Sequence, residues 1–145
     1  MQEFIVKKEI TINAPPSEVW DALTNPDKTK KYFFNCKVYS DWKVGSPISF
    51  KGRIFLIKKI EFNGTILKIE PEKLLEYNLK NGKNDNKHLG FSIVTDKLSF
   101  KNGLTILTIS DNVGNGKGAE ERYKKSEKGW NKILSGLKTL LEKNN

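Results

Sequence analysis

A chain of 145 residues fits one domain, residues 1–145, and leaves little room for two. Cys36 is the only cysteine, which excludes an intrachain disulfide and any multi-cysteine zinc site. The formal net charge of +9 raises nucleic acid, an anionic membrane or an acidic partner as candidates, but the lysines are spread along the whole chain, so a solvated basic surface is the simpler account and no nucleic-acid partner is expected.

From Phe4 to Asn13 apolar and polar residues alternate, with Phe4, Val6, Ile10 and Ile12 on one side, which predicts a strand with one buried face. Ala14-Pro15-Pro16 stops it, and Pro16 opens a helix through Leu23 in which Val19, Trp20 and Leu23 share a face. Asn25-Pro26 has the form of an N-cap followed by a first-turn proline, so a second short helix is expected near Asp27 to Lys31.

The middle reads as strands divided by turn residues. Cys36 to Trp42 is followed by Val44-Gly45-Ser46-Pro47, and Ile48 to Phe50 by Lys51-Gly52. Ile54 to Ile60 is a further apolar run, and Gly64 to Glu70 is a strand that closes at Pro71. Leu75, Tyr77 and Leu79 alternate with Glu76, Asn78 and Lys80, after which Asn81 to Lys87 is a polar loop. Val94, Leu98 and Phe100 alternate with Thr95, Lys97 and Ser99. Asn102-Gly103 is a strong hairpin signal, returning through Leu104 to Ser110.

After a loop from Asp111 to Gly118, the residues Tyr123, Trp130, Ile133, Leu134, Leu137, Leu140 and Leu141 fall on one stripe of a helix of about five turns. Lys124, Lys125, Lys128, Lys132 and Lys138 lie roughly opposite. Strands followed by one long helix predict an α+β fold with the helix on one face of an antiparallel sheet.

Several chemistries are tested by motif. Gly114-Asn115-Gly116-Lys117-Gly118-Ala119 matches a dinucleotide fingerprint, but no strand follows the helix to hold a ribose. Counting a calcium loop from Asp111 puts Val113 and Arg122 where oxygen ligands are needed. His88 is the only histidine and lies in a polar loop; a Cys36–His88 pair has no supporting signature, and Cys36 reads as a small buried residue. No metal, cofactor or catalytic residue is assigned. The first nine residues do not have the form of a signal peptide, and no apolar stretch reaches membrane-spanning length, so a cytoplasmic protein without membrane association is expected.

Four stretches carry a resemblance. Ile10 through Pro26, Trp42-Lys43-Val44-Gly45-Ser46-Pro47, Gly64 through Pro71, and Gly129-Trp130 with Ile133-Leu134 and Leu137-Lys138 occur in the order of the activator of heat-shock-protein-90 ATPase homologue-like family. The resemblance implies the helix-grip fold of the START-like (SRPBCC) superfamily. In it a curved antiparallel sheet wraps a long C-terminal helix, and two short helices follow the first strand. Many members hold hydrophobic compounds in an internal cavity. The segment Asn81 to Phe91 departs from the family's usual form by its length and polarity.

Three functions are carried forward. The first is a monomeric protein, with a stress-related role, that binds a small hydrophobic molecule between sheet and helix. Trp130, Leu134, Leu137, Tyr77, Phe100 and Leu107 are expected to line that space by alternation and helix facing, with Phe34 and Phe50 added from the aromatics. The second is a module acting on a chaperone, as the family resemblance implies. The third is a cyclase or aromatase-type enzyme, for which Arg53, Tyr77 and His88 are the only candidates, and which an inward-facing charged side chain would favour.

Overall fold

The computed structural model describes residues 3–54, 57–81 and 92–143. The polar loop from Gly82 as far as His88, together with Phe55 and Phe91, therefore lies outside the described residues. The first strand, β1 (Ile5–Ile12), is followed by helices α1 (Pro16–Thr24) and α2 (Pro26–Tyr32). Then come β2 (Cys36–Ser40), β3 (Pro47–Ile54), β4 (Lys58–Glu70), β5 (Leu74–Asn81), β6 (Ser92–Lys101) and β7 (Leu104–Asn112), and finally α3 (Ala119–Glu142). All seven strands form one antiparallel sheet in the order β1-β7-β6-β5-β4-β3-β2. The chain is an α+β fold in which this curved sheet carries a long C-terminal helix.

Local chemistry explains most of the boundaries. Pro16 stands in the first turn of α1, and the Asn25 side chain accepts from the Asp27 amide at 3.0 Å, capping α2 ahead of Pro26. Asn102 and Gly103 both hold positive φ, 55° and 81°, as the tight turn between β6 and β7 requires. At 24 residues α3 runs longer than the stripe suggested, about 36 Å. Its C-terminal end is pinned to β1. The Lys138 ammonium donates to the Thr11 carbonyl at 2.5 Å and to Glu142 Oε2 at 3.0 Å, and the Asn13 amide donates to Glu142 Oε2 at 2.7 Å. Lys138 thus sits at the flank of the helix and is no part of a purely solvated face.

Two expectations are corrected. Lys51-Gly52 does not divide strands: β3 runs through it, with Gly52 opposite Cys36 on one side and Ile60 on the other. A β-carbon on Gly52 would collide with the Asn35 carbonyl oxygen, so the glycine marks close backbone approach and not a turn. Gly64 likewise lies within β4, where a β-carbon would strike the Asn78 carbonyl oxygen. Opposite it the strand ladder opens, and the Thr65 amide donates to the Asn78 side chain at 2.9 Å. The register of β4 then slips between Ile66 and Lys68, a bulge that adds to the bend of the sheet.

The core lies between the concave face of the sheet and the helices. Val38, Ile48, Phe50, Ile66, Leu75, Tyr77, Val94, Leu107 and Ile109 come from the strands, and Trp130, Ile133, Leu134, Leu137 and Leu141 from α3. Helix α2 meets α3 where Gly136 lies against Tyr32, a β-carbon there standing 3.0 Å from the Tyr32 β-carbon. Among the described residues no helix is long and apolar enough to cross a membrane.

Candidate functional site

The turn after α2 brings two adjacent aromatic rings to the sheet. Phe34 and Asn35 adopt positive φ, 49° and 61°, and this reversal lets Phe33 enter the core while Phe34 stays at the surface, 38% exposed. Phe33 stacks on Phe50 with ring centroids 4.5 Å apart and meets Trp130 edge-on at 6.0 Å; Phe50 in turn lies 5.8 Å from Tyr77. Five of the residues selected from sequence, Trp130, Leu134, Leu137, Tyr77 and Phe50, surround a small cavity together with Tyr32 and Phe33. Its volume is about 20 Å³, room for roughly one water molecule.

Next to this cavity, past Phe33, Trp130 and Ile133, lies a wider cleft of about 150 Å³. Phe34, Phe62, Leu79 and Val94 form its apolar walls, and Gly129 on α3 leaves space over the Phe34 ring. The volume suits a single aromatic ring: an engineered apolar cavity of about 150 Å³ holds benzene.

The other selected residues fall elsewhere. Leu107 is fully buried but lines neither space. Phe100 has the inward parity of β6 yet is 57% exposed, because the strand runs on to the hairpin beyond the layer that covers its inner face. Alternation assigns a residue to a face without saying whether anything packs on that face. Arg53 is exposed on β3, with its carbonyl accepting from the Asn35 side chain at 2.5 Å. His88 lies outside the described residues.

Asp96, which sequence reasoning passed over, and Asp111, which it read as the start of a loop but which lies within β7, are unusual in their burial. Asp96 and Asp111 are 3% and 4% exposed, on the inner faces of β6 and β7. Val94 pairs with Asp111 and Asp96 with Ile109, so the two carboxylates are diagonal neighbours, with α-carbons about 7–8 Å apart. The available signal was an aspartate at an apolar parity position: Asp96 follows Val94 by two and precedes Leu98 by two.

Their surroundings differ. Asp111 Oδ2 accepts from the Ser126 hydroxyl at 2.5 Å and from Trp130 Nε1 at 2.9 Å, tying α3 to β7. Its Oδ1, like Asp96 Oδ1, is buried without a hydrogen-bond partner among the described residues. Burial first, and the Asp111 carboxylate second, push the Asp96 carboxyl up to about 7. Burial, reinforced by Asp96, holds the Tyr32 and Tyr77 hydroxyls above the usual phenol range; the Tyr32 hydroxyl donates to the Ala22 carbonyl at 2.8 Å. Asp96 lines the small cavity and Asp111 the cleft, so each space has one acid against apolar walls. Among the described residues no three His, Cys, Asp or Glu side chains are grouped to hold a metal ion.

A concave antiparallel sheet against one long C-terminal helix, with an aromatic space between them, defines the helix-grip class of α+β protein. Within it, the chain belongs to the family described as Activator of Hsp90 ATPase homolog 1-like protein, whose profile matches residues 13–142. Among solved structures it is similar to ChR145 from Cytophaga hutchinsonii, 35% identical over 99% of this chain and 98% of that one, with a TM-score of 0.78. MLL2253 from Mesorhizobium loti is 22% identical over 97% and 98% of the two chains, with a TM-score of 0.81. The Aha1 dimer from Colwellia psychrerythraea is 21% identical over 95% and 96%, with a TM-score of 0.71. Among curated proteins none matches.

Proposed function

We propose that this protein binds a small hydrophobic molecule, with the cleft beside α3 as the port of entry and Phe33 and Trp130 as its inner wall. The observation that carries this reading is the aromatic cleft of about 150 Å³ adjoining the small cavity beneath the helix. A monomeric binding module is the form in which the reading is simplest. The floor of the site is nearly filled by its own side chains, so the ligand is a single ring or a short acyl chain. A larger compound requires Phe33 or Trp130 to rotate aside.

The test is a titration with ethylbenzene and p-cresol followed by amide shifts. Perturbation should concentrate at Phe34, Val94, Gly129 and Trp130, and Gly129→Leu, which fills the cleft, should abolish it. Unchanged spectra with both compounds would remove the reading.

One observation favours a second reading, an enzyme that moves protons in a shaped apolar pocket. It is the inward-facing Asp96, poised near neutrality, with one oxygen that has no hydrogen-bond partner among the described residues. Here Asp96 and Tyr77 would take the place of Arg53 and His88 as candidates. Asp96→Asn should then abolish turnover of a poly-β-ketone substrate while leaving ethylbenzene binding intact; unaltered turnover would exclude Asp96.

A further inference from the structure

We propose that Phe33 sets the size of ligand the protein accepts: its ring swings aside to join the cleft and the inner cavity into one site for a flat two-ring aromatic compound, while Trp130 stays fixed. The inference rests on the binding reading above and adds which wall moves and what its movement admits.

Three side chains line both spaces and so stand between them: Phe33, Trp130 and Ile133. Two of the three are held. Trp130 Nε1 donates to Asp111 Oδ2 at 2.9 Å, so turning the indole would strand a buried donor and take a partner from a buried acid. Ile133 is buried on α3, where a β-branched side chain has one strongly preferred rotamer.

Phe33 differs on both counts. Its ring has no polar atom and meets other rings, Phe50 at 4.5 Å, Phe34 at 5.9 Å and Trp130 at 6.0 Å, so turning it breaks no hydrogen bond. It is the C-cap of α2, with φ −109° and ψ 70°, outside the helical geometry that disfavours one of the three χ1 wells. The backbone on either side is fixed: the Phe33 amide donates to the Thr29 carbonyl and the Phe33 carbonyl accepts from the Cys36 amide, both at 2.8 Å. The motion is therefore the side chain's alone. Its way out lies at the rim beside Phe34, the exposed ring next to it. With the ring displaced, Phe50 loses the aromatic face stacked on it, and a second ring of the ligand restores that contact. The first ring stays in the cleft, whose volume holds one.

Intermolecular NOEs with p-cresol and 4-phenylphenol, which share a phenol and differ by one ring, separate the outcomes. In the wild type p-cresol should contact the methyl groups of Leu79 and Val94, which line only the cleft, and not those of Leu75 and Ile109, which line only the inner cavity. 4-Phenylphenol should contact both sets. Phe33→Ala removes the ring that has to move and should raise the affinity for 4-phenylphenol about tenfold or more, with the affinity for p-cresol changed less. Contacts of 4-phenylphenol confined to Leu79 and Val94 would overturn the inference and leave the binding reading standing. So would p-cresol contacts to Leu75 and Ile109, an affinity for 4-phenylphenol not raised by Phe33→Ala, or binding of p-cresol alone. Silence from both compounds would overturn both readings. Where Phe33→Ala does not fold, the wild-type contacts of the two compounds decide the matter by themselves.

Discussion

Asp96→Asn tests the most unusual feature of the core. The Asp96 carboxyl is held at about 7 in the folded protein, against about 3.9 in an unfolded chain. Between those values the folded state holds the proton that the unfolded state has released. The contribution is therefore full below about pH 4 and is lost as pH rises to about 7, after which it is flat. Each unit of difference is worth about 1.4 kcal/mol, so the whole loss is about 4 kcal/mol, of which about 2–3 kcal/mol falls between pH 5 and pH 8. Asparagine keeps the shape and removes the titration. Urea unfolding of both proteins at pH 5 and pH 8 gives a double difference in which the titrating groups that do not interact with Asp96 cancel. Asp96→Asn should gain about 2–3 kcal/mol on the wild type in going from pH 5 to pH 8. Identical pH profiles for the two proteins would refute the assignment of Asp96 as a buried acid facing Asp111.

Three further outcomes follow from single side chains. Leu137 is fully buried in α3 beneath the cavity, and Leu137→Ala should cost about 2–5 kcal/mol in urea unfolding. Asn25→Ala removes the cap that the Asp27 amide donates to and should cost about 0.5–2 kcal/mol, with exchange protection lost first in α2. Cys36 is fully buried, and burial pushes its thiol up to about 11. At pH 8 it should resist a disulfide reagent in the native protein and react promptly in urea; rapid native labelling would contradict its placement.

The sequence by itself determined everything that depends on neighbours along the chain. Period-two alternation put Leu75, Tyr77 and Leu79 on one face of β5, and the stripe from Trp130 to Leu141 gave α3 its buried side. Asn25-Pro26 and Asn102-Gly103 stated the cap and the turn outright, because their effects operate within a few bonds. Five of the eight residues selected for a lining meet around one cavity for the same reason: they share a facing direction.

Only the tertiary structure decided what depends on distance in space. The pairing of β1 with β7 joins residues about a hundred positions apart, and no local pattern encodes it. Phe33 and Phe34 are identical in type and adjacent, yet a positive φ at Phe34 sends one ring into the core and leaves the other at the rim. Gly52 looked like punctuation and Gly64 like the start of a strand, and both proved to be places where another backbone comes too near for a side chain. Phe100 shows that parity fixes a face but not its cover, and Asp96 and Asp111 show that an apolar face can hold charge. The space between two packed layers is what their interlocking side chains leave over, and that remainder belongs to no single segment of the chain.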